Sequence, residues 1–283
     1  MSLFIASLNS GSNGNCYYIG NEADAVLIDA GLSCRETEKR MKRLNLAMEN
    51  VRAVFISHEH ADHIGGVTNL SKKFGLPVYI TEPTLSGGRL VIDRQQVKTF
   101  TPHEPVTVGG LSVTAFPKYH DASDPYSFII SHQAVNVGVF TDLGVACDQL
   151  IRYFKQCHAA FLEANYDEAM LENGGYPYHL KKRIRGGLGH LSNTQALDVF
   201  TKHRPGFMSH LLLSHLSRNN NDPQLVQSLF DAHAGNTKIV VASRYRESEV
   251  YHITHSGEIN PPVPLPLLKK KMTKDTRSQL SLF

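Results

Sequence analysis

Short apolar runs dominate the first third of the chain. Leu3 to Leu8, Cys16 to Ile19 and Ala25 to Ile28 have strand length, and they are separated by the turn formers Asn9-Ser10-Gly11-Ser12-Asn13-Gly14-Asn15 and Gly20-Asn21. The pattern predicts a small β-meander. Ser33 with Glu36 three residues on has the form of a capping box opening a helix through about Leu44, after which Val51 to Ile56 returns as a buried strand ending in a loop at Ser57-His58. A helix near Gly66 to Phe74 follows, then strands at Val78 to Ile80, Val97 to Phe100, Leu111 to Phe116, Tyr126 to Ile130 and Val135 to Phe140. The later part alternates: a helix near Asp148 to Lys155, a strand at Ala159 to Leu162, a helix capped by Ser192 and Gln195, and a strand at Phe207 to Leu213. Asp222-Pro223 starts a helix ending near Gly235, before a strand at Lys238 to Ala242. Meanders with helices in both halves predict two mixed sheets covered outside by helices rather than a doubly wound parallel sheet. No sequence repeat stands out.

With 283 residues, 41% hydrophobic and 19% charged, the chain can bury a real core and is neither disordered nor fibrous. No apolar run reaches the roughly 20 residues of a membrane span, and the N-terminus lacks the basic region of a signal peptide. Cys16, Cys34, Cys147 and Cys157 form no C-x-x-C pair, so free thiols in a reducing, cytoplasmic compartment are expected. The net charge of +3 is uneven, because residues 261–283 hold five Lys/Arg against one Asp. A near-neutral body argues against a histone-like binder of nucleic acid, although bound divalent metals would change its field. Pro261 to Pro266 marks a boundary between a domain at 1–260 and a Pro/Lys-rich tail at 261–283.

The most informative segment is Ser57-His58-Glu59-His60-Ala61-Asp62-His63, three histidines and an aspartate within six positions after a buried strand. Imidazole and carboxylate suit zinc, manganese or iron, and a tight loop lets alternate residues face two neighbouring metals. Water activated between two such ions can attack a phosphodiester, thioester, lactone or lactam, so the metals alone do not name the substrate.

H-x-H-x-D-H after an apolar strand resembles the metallo-β-lactamase fold superfamily, as do Val26-Leu27-Ile28-Asp29-Ala30-Gly31 and Gly138-Val139-Phe140-Thr141-Asp142-Leu143-Gly144, in the right order. The resemblance implies an αββα sandwich of two mixed β-sheets, an α/β class. It also implies two divalent metals, zinc or manganese with iron possible: His58, His60 and His120 on one, Asp62, His63 and His215 on the other, and Asp142 between them. An aspartate at 142 in place of the cysteine ligand of the B1 and B2 lactamases, with Asp62, favours the phosphodiesterase side. Phe161 to Asp167 and Gly189 to Ala196 resemble motifs of the tRNA 3′-processing endonucleases, which implies His190 as proton donor to the leaving oxygen and Glu163 as its orienting partner.

The chain resembles more closely the bacterial YycJ/WalJ family of exonucleases, through Ser10 to Tyr17, the HEHADH loop, LEANYD, GHLSN and Leu213 to Asn220. That likeness implies 5′-to-3′ exonuclease action on DNA. No tRNA-clamping arm is evident, and the 72 residues between Asp142 and His215 leave no room for an inserted β-CASP domain. Two other classes remain: a small-molecule thioester, lactone or cyclic-phosphate hydrolase sharing the ligands, and a non-catalytic metal-binding adaptor. Lys181, Lys182, Arg183 and Arg185 precede His190 in an expected basic loop, where they would contact phosphates without reading sequence. Finally, Gln279-Leu280-Ser281-Leu282-Phe283 resembles the peptide by which bacterial replication and repair proteins bind the sliding clamp. Gln279, Leu280, Leu282 and Phe283 are its expected contacts.

Overall fold

The computed structural model describes residues 2–257 and 259. Its elements in chain order are β1 (Ser2–Asn9), β2 (Cys16–Gly20), β3 (Ala25–Ile28), α1 (Cys34–Arg43), β4 (Val51–Phe55), α2 (Ala61–Ile64), α3 (Val67–Phe74), β5 (Val78–Tyr79), α4 (Glu82–Gly87) and β6 (Val97–Lys98). There follow β7 (Pro105–Val108), β8 (Leu111–Pro117), β9 (Tyr126–His132), β10 (Val135–Phe140), α5 (Asp148–Phe154), β11 (Ala159–Glu163), α6 (Glu168–Asn173) and α7 (Tyr178–Ile184). The last are α8 (Asn193–His203), β12 (His210–Ser214), α9 (Pro223–Asp231), β13 (Lys238–Val241) and β14 (Tyr251–Thr254).

The strands form two sheets, ordered β14-β1-β2-β3-β4-β5-β6 and β13-β12-β11-β10-β9-β8-β7. Each starts as an antiparallel meander and becomes parallel further on, at β3/β4 in one sheet and β10/β11 in the other. The sheets thus repeat one architecture that the sequence does not betray.

Strand periodicity explains why the runs are apolar throughout. In β1, Leu3 and Ile5 enter the core between the sheets, where Phe55, Phe128 and Phe161 also pack, while Phe4, Ala6 and Leu8 face the opposite way, toward Met41 of α1 and Leu70 of α3. The second sheet likewise turns Leu162, Leu211 and Leu213 toward Phe154 of α5, Phe200 of α8 and Phe230 of α9. Truncating Phe161, fully buried between the sheets, would cost about 3–5 kcal/mol. Four layers result, helix, sheet, sheet, helix, as the resemblance implies.

Several local expectations are corrected. Ser33 Oγ accepts from the Glu36 amide, but the Glu36 carboxylate turns to Arg40 at 2.9 Å, so the first capping box is half made; the one at Ser192 and Gln195 is complete. The loop expected at Ser57-His58 is present and passes at Ala61 into the helical turn α2, whereas the expected basic loop is the helix α7, which runs into the glycine-rich turn at Gly186 to Gly189. The strand expected from Phe207 starts at His210, that expected to Phe100 stops at Lys98, and α4, α6, β7 and β14 were not anticipated. The four cysteines are free thiols. The expected tail, with its clamp motif, lies outside the described residues.

Candidate metal centre

In each sheet the parallel strands point their carboxyl ends the same way, and the side chains in question stand there, as is usual for open sheets with parallel strands. Asp29 follows β3, Ser57 and His58 follow β4, Asp142 follows β10, Glu163 ends β11 and His215 follows β12. Three of these residues, Asp29, Asp142 and His215, have left-handed backbones, with φ of 61°, 55° and 57°. Non-glycine residues seldom adopt this region, and such strain concentrates at functional sites. Each kink ends its strand abruptly.

The HEHADH segment is pinned from below. Asn15 N–H donates to the Asp62 carbonyl at 2.6 Å and Gly31 N–H to the Asn15 carbonyl at 2.9 Å, while a Cβ on Gly31 would stand 1.7 Å from that same Asp62 oxygen. Only glycine lets the two segments approach so closely.

Two clusters of donor atoms emerge. His58 Nε2 is 3.1 Å from His60 Nδ1, which is 3.4 Å from His120 Nε2, and these three can hold one metal ion. Asp62, His63 and His215 form a second such group, with Asp62 Oδ2 3.6 Å from His63 Nε2 and 3.4 Å from His215 Nε2. Asp142 lies between: Oδ1 is 3.8 Å from His120 Nε2, and Oδ2 is 3.1 Å from His63 Nε2. All seven residues singled out in the sequence are thereby brought together. The donor set is imidazole and carboxylate throughout, which suits a divalent transition metal. Asp142 Oδ2 is buried without a hydrogen-bond partner, the state expected of an oxygen whose partner is a cation. The centre therefore fits divalent metal.

The opposite ring nitrogens are occupied by protein. His58 Nδ1 meets Ser57 Oγ at 2.8 Å, His120 Nδ1 meets the Gly189 carbonyl at 3.0 Å, and His63 Nδ1 meets Asp29 Oδ2 at 2.7 Å. Asp29 also accepts from the Ser57 amide and hydroxyl. Such partners fix the tautomer and aim the other nitrogen inward. Asn15 Nδ2 adds contacts at 3.1 Å to both Asp62 Oδ2 and His63 Nε2. Asp29 and Asn15 lie in motifs already noted, but sequence reasoning gave neither a role.

Glu163 organises the other side. Completely buried, it accepts from the backbone amides of Leu143 and Leu191 and places Oε1 2.8 Å from His190 Nδ1 and 3.0 Å from His215 Nδ1. One carboxylate thus orients both histidines. Burial alone would raise its pKa, but His190 and the hydrogen bonds from both histidines outweigh burial and hold it down to about 2. Burial likewise opposes charge on His63, yet Asp142, Asp29 and Asp62 prevail and push it up to about 10. His120, dominated by burial, falls to about 4.

The basic residues sit at the rim. Arg183 Nε pairs with Asp121 at 2.5 Å, Arg185 pairs with Glu172 at 2.8 Å, and Lys181 Nζ donates to the Glu172 carbonyl. Lys182 is exposed and makes no such bond among the described residues. Because Asp121 adjoins His120 and its amide donates to the Leu188 carbonyl at 3.0 Å, α7 borders the centre, though Lys181, Arg183 and, just past its end, Arg185 are engaged.

Comparisons with known proteins bear on the family and the fold. A family model described as a beta-lactamase superfamily domain matches residues 24–215. The exodeoxyribonuclease YycJ of Bacillus anthracis is 34% identical over 236 residues, which is 80% of this chain and 87% of that protein. The exodeoxyribonuclease WalJ of Streptococcus pneumoniae serotype 2 is 31% identical over 223 residues, 77% of this chain and 83% of its own length. Among solved structures, the metallo-β-lactamase fold protein YhfI from Bacillus subtilis matches with a TM-score of 0.69 at 18% identity, covering 89% of this chain and 99% of that one. That last likeness bears on the fold alone.

Proposed function

The chain belongs to the YycJ/WalJ family of the metallo-β-lactamase fold superfamily, and from that membership, which makes it a metal-dependent nuclease, we propose a 5′-to-3′ DNA exonuclease with a dinuclear centre. His58, His60 and His120 would hold one zinc or manganese ion, with iron as a further candidate. Asp62, His63 and His215 would hold the other, with Asp142 available to both. Two such ions supply an activated water and offset charge on the attacking and leaving oxygens.

The observation carrying the reading is His190. Its Nδ1 is held by Glu163 while its side chain is 18% exposed, which leaves Nε2 for a leaving group. Asp62 accepts the proton of the attacking water, the bond from phosphorus to the 3′ oxygen breaks, and His190 protonates that oxygen. Each cut releases a nucleotide with a 3′ hydroxyl and leaves a new 5′ phosphate on the shortened strand. Lys181, Lys182 and Arg183 of α7, with Arg185 just past its end, line the approach as phosphate contacts, with Lys182 the most available.

The catalytic domain spans residues 1–260, and the tail at 261–283 tethers it to the sliding clamp through Gln279, Leu280, Leu282 and Phe283, placing the enzyme at replicating or repaired DNA in the cytoplasm. No helix among the described residues is long and apolar enough to cross a membrane. Titrating clamp with a peptide of residues 274–283 checks the tether; binding unchanged by Leu282→Ala/Phe283→Ala would overturn it. The nuclease reading is tested with metal-loaded protein and single-stranded DNA labelled at one end. A 5′ label should leave first as mononucleotide while a 3′ label stays in a shortening ladder. Release from the 3′ end first, or cleavage of RNA with DNA spared, would contradict it.

A further inference from the structure

A cavity of about 430 Å³ opens beside the metal centre, between the segment after β12 and the segment after β13. It touches the centre through Ser10, whose hydroxyl accepts from the His215 amide at 2.7 Å, and through Leu216, the next residue. Arg218, Arg244 and Arg246 line it together with Tyr245, and none of its lining residues is acidic. Parallel pairing of β12 with β13 brings these distant arginines to one place. Among the described residues, Arg218 and Arg246 are exposed and have no hydrogen-bonded or ion-paired partner. Arg244 reaches Ser12 Oγ through Nη2 at 3.2 Å, but its Nη1 is buried with no acceptor at all. A buried guanidinium nitrogen without a partner is costly, and the exposed, unpaired guanidinium groups of Arg218 and Arg246 beside it mark a place for an anion.

We propose that this cavity binds the 5′-terminal nucleotide of the substrate, with its terminal phosphate on the three arginines and its base against Tyr245. The proposal rests on the exonuclease reading and adds what its 5′ end must carry. The volume lies in the range of small-ligand sites and admits one nucleotide. A terminal phosphate monoester carries about −1.5 to −2 charges against one for a diester linkage, so a cluster of guanidinium groups with no carboxylate among the lining residues selects the strand end over its interior. Tyr245, 71% exposed, offers a ring face that stacks on any base. Because each cut leaves a 5′ phosphate, the product of one round is the ligand the cavity needs for the next.

The experiment uses the metal-loaded full chain and a short single strand with phosphorothioate linkages, which resist cleavage. Affinity is measured by fluorescence anisotropy with a 5′ phosphate or a 5′ hydroxyl. The phosphorylated strand should bind about tenfold tighter, a difference of about 1.4 kcal/mol. Arg218→Ala/Arg246→Ala should bring the two ends within about twofold, as should Arg244→Ala. Lys155→Ala/Lys202→Ala removes equal charge beyond the C-terminus of α5 and near the C-terminus of α8, and should keep the preference. Both ends binding the wild type alike, or the arginine variants keeping the preference, would overturn the proposal. Cleavage of ordinary DNA is assayed in parallel. Cleavage indifferent to the 5′ end sinks the cavity and spares the nuclease; a 5′-phosphate preference in binding without any cleavage supports the cavity and sinks the nuclease.

Discussion

The metal centre and the basic rim formed by α7 are neighbours in space and opposites in physics. At the centre, the ligand nitrogens of His58, His63 and His120 face inward because Ser57, Asp29 and the Gly189 carbonyl hold the far side of each ring. At the rim, Arg183 and Arg185 are exposed and already paired with Asp121 and Glu172. Buried charges interact strongly and cannot be rearranged cheaply, whereas exposed pairs contribute little and exchange readily for a phosphate. Residues at the centre should therefore fail one by one and completely, and those at the rim by degrees.

The largest effect should come from Asp62→Ala, which should lose bound metal as well as turnover. His190→Ala should keep its metal and lose about 10²- to 10⁴-fold in kcat, the usual worth of a positioned acid. Elemental analysis of both proteins decides this, and equal metal content would count against the roles assigned to these two residues. Next is Asp29→Asn, which leaves every ligand in place and removes only the carboxylate behind His63; metal affinity should fall about 10- to 100-fold in a chelator competition. An unchanged affinity would show that Asp29 merely fills its site. The smallest effect belongs to the rim. Lys182→Ala removes one cation from the path of a single strand and should make the dependence of log K on log salt shallower by about 0.7; Arg185→Ala, whose guanidinium already has a carboxylate, should do so by less. If Arg185→Ala had the greater effect, the contrast between paired and unpaired cations would fail.

The sequence disclosed these two regions unequally for the same reason. His58, His60, Asp62 and His63 lie within six positions after one strand, so their chemistry is visible locally, and motif likeness extends it to His120, Asp142, Glu163, His190 and His215. Asp29 stands in a recognisable motif, but its hydrogen bond to His63 spans 34 positions and no local pattern announces it. The helix α7 reads as a loop because no side chain caps its start and its last turn carries three cations before a glycine-rich turn. The strands β7 and β14 escape the pattern because neither is an apolar run: β7, Pro-Val-Thr-Val, buries only Val108, and β14, Tyr-His-Ile-Thr, has polar residues at alternate positions. The arginine cavity draws on Arg218, Arg244 and Arg246, which only the packing of β12 against β13 unites.

The most direct measurement is an anomalous difference map from crystals of the metal-loaded protein. The account expects two peaks about 3.5–4 Å apart, one bound by His58, His60 and His120, the other by Asp62, His63 and His215, with Asp142 reaching both. A single peak, or metal held without Asp142 or away from these histidines, would contradict it.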